Sequence, residues 1–285
     1  MKEFILNILR GIVVGLANVI PGVSGGTMMV SMGIYDKLIL VLTHFIKRIK
    51  EAVALLIPIG IGMLLAIAIF SKLFSEIFFP KYPLQTNLLF IGLILGGLPA
   101  IYSKVKGNTV KTPHIIAFAA FFALVVGLAL VGEGSGAAAD TSFSFFNEIK
   151  IFVVGVIAAA TMVIPGVSGS MIMMILGYYT TIIDTINAFI DALRAFDIGA
   201  MLDTFTLLIP FGIGVVVGIV AVAKLIEFIL KKYTLIAYWA IIGLIVASPF
   251  AILIMMEIGP VGIAQILVGA VLLVAGFLVS YKLGE

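Results

Sequence analysis

Hydrophobic residues fill most of this chain in long runs that are interrupted only by short polar segments. Six runs reach the roughly 20 residues that a helix needs to cross the hydrocarbon core of a bilayer. They lie at about 52–71, 84–102, 114–131, 205–223, 235–256 and 261–280. Two further apolar segments, about 4–34 and 149–181, are broken near the middle by Pro-Gly and Ser-Gly steps. The pattern predicts an all-α polytopic membrane protein with two broken segments.

The two broken segments are copies of each other. NVIPGVSGGTMMV (18–30) recurs as MVIPGVSGSMIMM (162–174), and each copy contains one PGVSG motif. The similarity continues downstream, because LIPIGIGMLLAIAIFSKL (56–73) matches LIPFGIGVVVGIVAVAKL (208–225). Internal duplication of this kind is typical of transporter folds.

The number of times each repeat crosses the membrane determines whether the two repeats have the same or opposite orientation. We expect a first repeat over 1–131, an external polar linker over 132–148 and a second repeat over 149–285. If each broken segment is a re-entrant helical hairpin, each repeat adds three transmembrane helices, and this odd number makes the repeats inverted. Four crossings per repeat would make the repeats parallel, and long helices bent at the motif would mimic the hairpins.

The re-entrant arrangement gives the clearer charge bias. It places most of the 17 Lys and Arg residues on one side, which the positive-inside tendency identifies as cytoplasmic. Both termini are then cytoplasmic, as are the loops near 36–51, 102–113 and 224–233. We therefore predict a multi-pass protein of the cytoplasmic (inner) membrane.

The composition supports a membrane protein and excludes several kinds of site. Hydrophobic residues make up 63% of the chain and charged residues 11%, with a mean hydropathy of +1.31. Soluble domains are about half apolar and a quarter charged. The chain has no cysteine, which excludes disulfides, thiolate metal sites and cysteine catalysis. The net charge of +3 is small, and no nucleic-acid partner is expected.

Each motif exposes backbone polar groups where water cannot reach them. Proline removes a donor and disrupts a helix, and in hydrocarbon every backbone N–H and C=O needs a partner. Inverted repeats bring such interruptions together near the bilayer midplane. A helix that begins after the motif presents free N–H groups and a positive dipole end. The two interruptions together predict an anion cradle suited to phosphate or carboxylate.

The predicted substrate-binding residues are Asn18 and the members of the two motifs, which are defined as PGVSG with the polar residues that follow it, residues 21–27 and 165–170. They are Asn18, Pro21, Gly22, Val23, Ser24, Gly25, Gly26, Thr27, Pro165, Gly166, Val167, Ser168, Gly169 and Ser170. A plainer interpretation is that small residues allow close helix packing and that the two motif serines are helix caps. The pairs Gly11 with Gly15 and Gly214 with Gly218 are interpreted as packing positions.

Two lysines occupy matched positions near the ends of matched helices. Lys72 and Lys224 are the middle residues of the paired sequences SKL (71–73) and AKL (223–225). Each is a possible contact for an anionic headgroup on its own face of the membrane. The alternative is a snorkelling lysine, whose stem lies in lipid and whose ammonium reaches water.

The motifs resemble a known family. IPGVSGGT followed by GIYDKLI, and IPGVSGS followed by LGYY, are similar to the PopT-type polyprenyl-phosphate translocases of bacteria and archaea. The resemblance covers nearly the whole chain. It implies a lipid-carrier flippase that returns undecaprenyl phosphate, or a similar polyprenyl phosphate, from the outer to the cytoplasmic leaflet for envelope polymer synthesis. The matching positions are 21–27 and 165–170.

Three other functions are weighed against a flippase. A membrane polyprenyl-diphosphate phosphatase needs acidic and basic side chains in its pocket, and neither motif has one beside it, so no enzyme is expected. A transporter of a small soluble anion remains an alternative. A structural scaffold does not explain two matched motifs. No cofactor and no metal are expected, the partners are membrane lipids and the carrier, and the coupling ion (H⁺ or Na⁺) and the oligomeric state stay open.

Overall fold

The computed structural model is helical over nearly all the residues that it describes, which are 2–19, 24–73, 77–131, 144–256 and 259–284. Its helices follow in chain order. They are α1 (Lys2–Val19), α2 (Gly25–Ser31), α3 (Tyr35–Thr43), α4 (Ile49–Leu73), α5 (Phe79–Lys81), α6 (Pro83–Gly96), α7 (Leu98–Ser103), α8 (Thr112–Val131), α9 (Phe145–Val163), α10 (Gly169–Ile175), α11 (Tyr179–Ala195), α12 (Ile198–Lys232), α13 (Thr234–Met255) and α14 (Ile263–Gly284).

The predicted all-α membrane class is confirmed. Within the described ranges, seven helical segments are long and apolar enough to cross a membrane, and six of them correspond to the predicted runs. The seventh is α9, which belongs to a segment that the sequence assigned to a re-entrant hairpin. The pairs α2–α3 and α10–α11 are bent by 116° and 109°, and they raise the number to nine if each pair is one span. The re-entrant and inverted arrangement stays a prediction.

Helix boundaries differ from the hydrophobic runs where polar residues continue a helix. The run predicted at 205–223 is the middle of α12, which extends from Ile198 to Lys232. Lys and Glu are good helix formers, so a helix can continue beyond the end of an apolar run. The run at 84–102 is divided at Gly97, because Pro99 lies in the first turn of α7 and lacks a backbone donor.

The chain forms two compact units. Unit 1 comprises residues 1–130, 164–167 and 223–285, and unit 2 comprises residues 131–163 and 168–222. In unit 1, α1 packs on α4 and α6 packs on α14. In unit 2, α9 and α10 pack together, and Ile151, Val154 and Leu207 contribute to its apolar core.

Glycines bring helix backbones into contact in both units. In unit 1, a Cβ on Gly15 would lie 2.7 Å from the carbonyl oxygen of Met63. In unit 2, a Cβ on Gly218 would lie 2.7 Å from the carbonyl oxygen of Val156. Gly11 and Gly214 likewise face the backbones of Ile59 and Phe152. The interpretation of these glycines as packing positions is confirmed.

Candidate functional site

The structure describes the first motif from Ser24 onward, and Pro21, Gly22 and Val23 lie outside the described residues. Ser24 has an extended backbone (φ −99°, ψ 128°) and is the N-cap residue of α2, but its side chain makes no capping hydrogen bond. Ser24 and Thr27 are 6% and 0% exposed. Two hydroxyls therefore lie buried in the first turn of a helix whose first N–H groups have no partner within that helix.

The loop of the second motif contacts the first motif inside unit 1. The backbone N–H of Gly166 donates a 2.7 Å hydrogen bond to Oγ1 of Thr27, across 139 positions of sequence. Gly166 has φ +81°, a left-handed conformation that glycine adopts without steric cost. Residues 164–167 belong to unit 1. The two predicted motifs thus meet at one backbone donor and one hydroxyl.

The remainder of the second motif begins α10 in unit 2. Ser168 repeats the extended backbone (φ −88°, ψ 123°), and its hydroxyl accepts a 3.5 Å hydrogen bond from the Met171 N–H. The Ser168 and Ser170 hydroxyls lie 2.9 Å apart. The Ser168 side chain therefore caps its helix, as in the plainer interpretation, whereas the Ser24 side chain makes no capping hydrogen bond.

The residues facing the two helix-starting glycines differ. A Cβ on Gly25 would lie 2.7 Å from Oδ1 of Asn18, so the predicted amide does reach the first motif. A Cβ on Gly169 would meet Cγ of Met162 at 3.1 Å and Oγ1 of Thr161 at 3.3 Å. Thr161 was not among the predicted residues. Its hydroxyl donates to the Ala158 carbonyl at 2.8 Å, which is a contact within its own helix.

The helices that follow the motifs are short. α2 and α10 each have seven residues. Each ends before a left-handed glycine, Gly33 (φ 68°) or Gly177 (φ 78°). Two turns align few peptide dipoles, and the dipole effect is confined to the terminal turn. The hydroxyl and N–H groups of each motif are therefore expected to contribute more to anion binding than the helix dipole does.

The other predicted residues are placed as follows. Gly26, Pro165 and Val167 are buried. Lys224 is exposed on α12. Lys72 lies in the last turn of α4, and its side chain falls outside the described part of the structure. Headgroup contact by either lysine stays a prediction. Within the described ranges, no group of three His, Asp or Glu residues is placed to hold a metal ion.

Comparison with known proteins identifies the family of this chain. A family model described as undecaprenyl phosphate translocase-like matches residues 14–265. The chain belongs to that family. A member from Staphylococcus aureus named polyprenyl-phosphate transporter is 32% identical over 283 residues, covering 98% of this chain and 96% of its own. A Vibrio cholerae member with the same name is 25% identical over 266 residues, covering 86% of this chain and 76% of its own. No solved structure matches.

Membership confirms the resemblance that the paired motifs carry. Both relatives are named as transporters, and this class agrees with the prediction that the protein is not an enzyme. The matched region begins within α1, four residues before Asn18, and it includes both motifs.

Proposed function

We propose that this protein is a polyprenyl-phosphate transporter that moves undecaprenyl phosphate, or a similar carrier, from the outer to the cytoplasmic leaflet. Two relatives that carry the name polyprenyl-phosphate transporter are similar over most of the chain. The observation that supports a phosphate site is the hydrogen bond between Gly166 N–H and Thr27 Oγ1. It joins residues of both motifs in one partly buried polar cluster, called the motif cluster, which contains Ser24, Thr27 and the Gly166 N–H.

The chemistry of the cluster suits a phosphate that must later leave. Ser24 and Thr27 supply hydroxyls that can donate, and the first turn of α2 supplies N–H groups. Gly25 has no side chain, and this allows the Asn18 amide to lie close to the first turn of α2. Neither motif contains a charged side chain, so a bound phosphate is not held by an ion pair. Transport requires binding that is favourable enough for entry and weak enough for release.

The remaining parts of the proposal follow from the membrane setting. The long apolar tail stays in lipid while the phosphate occupies the motif cluster. Access alternates between the two faces around this site, which lies near the midplane, as in other transporters built from repeats. Both termini face the cytoplasm. The coupling ion is H⁺ or Na⁺, and backbone carbonyls freed at the motifs are candidate ligands for Na⁺.

The test is transport by purified protein in vesicles. Leaflet transfer of a polyprenyl phosphate is compared with transfer of its dephosphorylated alcohol, and uptake of inorganic phosphate is measured in parallel. We expect transfer of the phosphorylated lipid only. Equal transfer of the alcohol would contradict a phosphate site. Uptake of inorganic phosphate alone would identify a soluble-anion transporter, and release of phosphate from a polyprenyl diphosphate would identify a phosphatase.

A further inference from the structure

A second polar cluster, which contains no residue of either motif, lies in unit 1. The hydroxyl of Tyr238, on α13, donates a 2.7 Å hydrogen bond to Oδ2 of Asp36, in the first turn of α3. Nζ of Lys104, at the end of α7, lies 3.5 Å from the same oxygen. The same ammonium lies 5.9 Å from the centre of the Tyr238 ring. Three helices thus bring a carboxylate, an ammonium and a phenol together.

The cluster lines a cavity of about 370 Å³. Ser103, Gly33 and Tyr281 also contribute to its wall. A single water needs only about 10–15 Å³ of comparable space, so the cavity has room for a small solvated anion. Its wall is partly apolar and partly polar, and Lys104 is the cationic residue in it.

The Lys104 ammonium is held loosely. Charge-assisted N–H···O bonds are usually about 2.7–2.9 Å long, and the separation here is 3.5 Å. The two side chains are 49% and 45% exposed, and ion pairs with this exposure contribute little to stability. Asp36 keeps its short hydrogen bond to Tyr238 if Lys104 moves away. The lysine can therefore change partner without leaving the carboxylate unpaired.

We propose that this cavity is a second binding site for a phosphate group, in which Lys104 exchanges Asp36 for phosphate oxygens. A phosphate monoester offers three terminal oxygens and more negative charge than a carboxylate, and lysine binds phosphate as a point charge. The site rests on the proposed function where the phosphate is a lipid headgroup. Free phosphate has the same recognition chemistry, and the experiment separates the two.

Position and asymmetry suggest what the site does. Asp36 follows the left-handed Gly33 that ends the α2 turn, so the cavity is one short helix away from Thr27. The orientation predicted from basic residues puts the ends of α3 and α7 on the cytoplasmic side. In the second repeat, Thr180 occupies the position of Asp36. The site therefore exists in one copy, and it receives phosphate leaving the motif cluster on the cytoplasmic side.

The test is equilibrium binding to the full-length protein in detergent. The probes are farnesyl monophosphate, farnesol and inorganic phosphate, and the variants are Lys104→Met, Lys106→Met and Asp36→Asn. Lys106 is the matched control, because it is exposed in the same turn and does not line the cavity. Losing a charge-assisted contact should weaken farnesyl phosphate binding to the Lys104 site roughly tenfold. Lys106→Met should stay within about twofold of the wild type, because an exposed charge is screened.

Asp36→Asn should change phosphate affinity in the opposite direction to Lys104→Met. This variant distinguishes a lysine that exchanges Asp36 for phosphate from a cluster that only holds the helices together. The amide keeps an acceptor for the Tyr238 hydroxyl but no longer competes for Lys104, so phosphate should bind more tightly. If Lys104→Met and Asp36→Asn both weaken binding, the cluster only ties helices together and the inference is wrong. Wild-type binding by Lys104→Met overturns it as well. Unfolding temperatures and rescue by Lys104→Arg control for misfolding.

The probes also separate this inference from the proposed function. Lys104-dependent preference for farnesyl phosphate over inorganic phosphate identifies a lipid headgroup site, and equal binding of the two identifies a site for free phosphate. If Lys104 binds phosphate but vesicles transfer no polyprenyl phosphate, the proposed function fails and this site stands. If transfer is normal and no binding depends on Lys104, only this inference fails.

Discussion

Where the structure describes both motifs, their backbone conformations are similar, and the side chains that flank the shared PGVSG sequence differ. Ser24 and Ser168 have nearly the same extended conformation, and each precedes a seven-residue helix. The following bends are 116° and 109°, and each turn contains a left-handed glycine. Yet only Ser168 caps its helix. Thr27 corresponds to Met171 in the repeat, and Asn18 corresponds to Met162.

The repeated residues therefore account for the shared backbone conformation, whereas the residues that differ between the copies determine which polar groups are available to a ligand. Each PGVSG sequence follows the end of one helix and reaches the first residue of the next. The side chains that can hold a polar ligand are concentrated around the first motif, and the second contributes a backbone donor through Gly166. Three comparisons of variants test this division, and they are described from the largest expected effect to the smallest.

The first prediction compares Gly25→Val with Gly169→Val. A Cβ on Gly25 meets the Asn18 amide at 2.7 Å, whereas the nearest atom to one on Gly169 is Cγ of the flexible Met162 side chain at 3.1 Å. We expect Gly25→Val to abolish polyprenyl-phosphate transfer and Gly169→Val to reduce it strongly but incompletely. Vesicle transfer assays on protein that elutes normally in size-exclusion chromatography provide the measurement.

Gly60→Val and Gly212→Val are the controls, because a Cβ at either helix position has nothing within 4 Å. Both should insert and transport normally. If Gly25→Val does not fold, Gly25→Ala combined with Asn18→Ala answers the same question, since residues in contact show non-additive effects. Normal transport by the Gly25 variants would reduce the motifs to a packing device.

The second prediction concerns the contact that joins the motifs. Thr27→Val keeps the shape of the side chain but removes the acceptor of the Gly166 N–H. Loss of the partner of a fully buried donor costs about 1–3 kcal/mol, and this donor is partly buried, so we expect a lower unfolding temperature and transfer reduced up to about tenfold. Thr27→Ser keeps the hydroxyl and should retain most activity. Equal activity of the Val and Ser variants would show that the hydroxyl plays no part.

The third prediction separates a cap from a ligand contact. Ser168→Ala removes a capping acceptor and should cost about 1 kcal/mol of stability, with little change in lipid binding. Ser24 makes no cap, so Ser24→Ala should leave stability unchanged and weaken binding of the phosphorylated carrier a few-fold. Thermal unfolding and binding of farnesyl phosphate measure the two effects. A stability loss in Ser24→Ala of the same size would remove the distinction.

The sequence predicted the features that depend on local pattern. The six runs, the positions of both interruptions and the packing glycines such as Gly214 follow from hydropathy and from side-chain size. The helix break at Gly97 was missed, because the apolar run continues across it. α9 was assigned to a hairpin, although its length and composition also allow it to cross.

The contacts of the site could not be read from local pattern. Thr27 was predicted as a ligand, but its hydrogen bond to Gly166 joins residues 139 positions apart. Asp36 and Tyr238 are separated by 202 positions, and neither has unusual neighbours in sequence. Such pairs depend on how helices pack, and no periodicity or motif encodes them. Their prediction would need pairwise information that a single chain does not contain.

The length of α12 has a mechanical consequence. Its 35 residues extend about 52 Å at 1.5 Å per residue, whereas the hydrocarbon core is only about 30 Å thick. The helix must therefore tilt or carry several turns into the headgroup layer. The end beyond Lys224 contains an ion pair between Glu227 and Lys231, which suits water rather than lipid. A thinner bilayer increases the mismatch between this helix and the hydrocarbon core. The tilt of α12 should therefore depend on the lipid composition of the membrane.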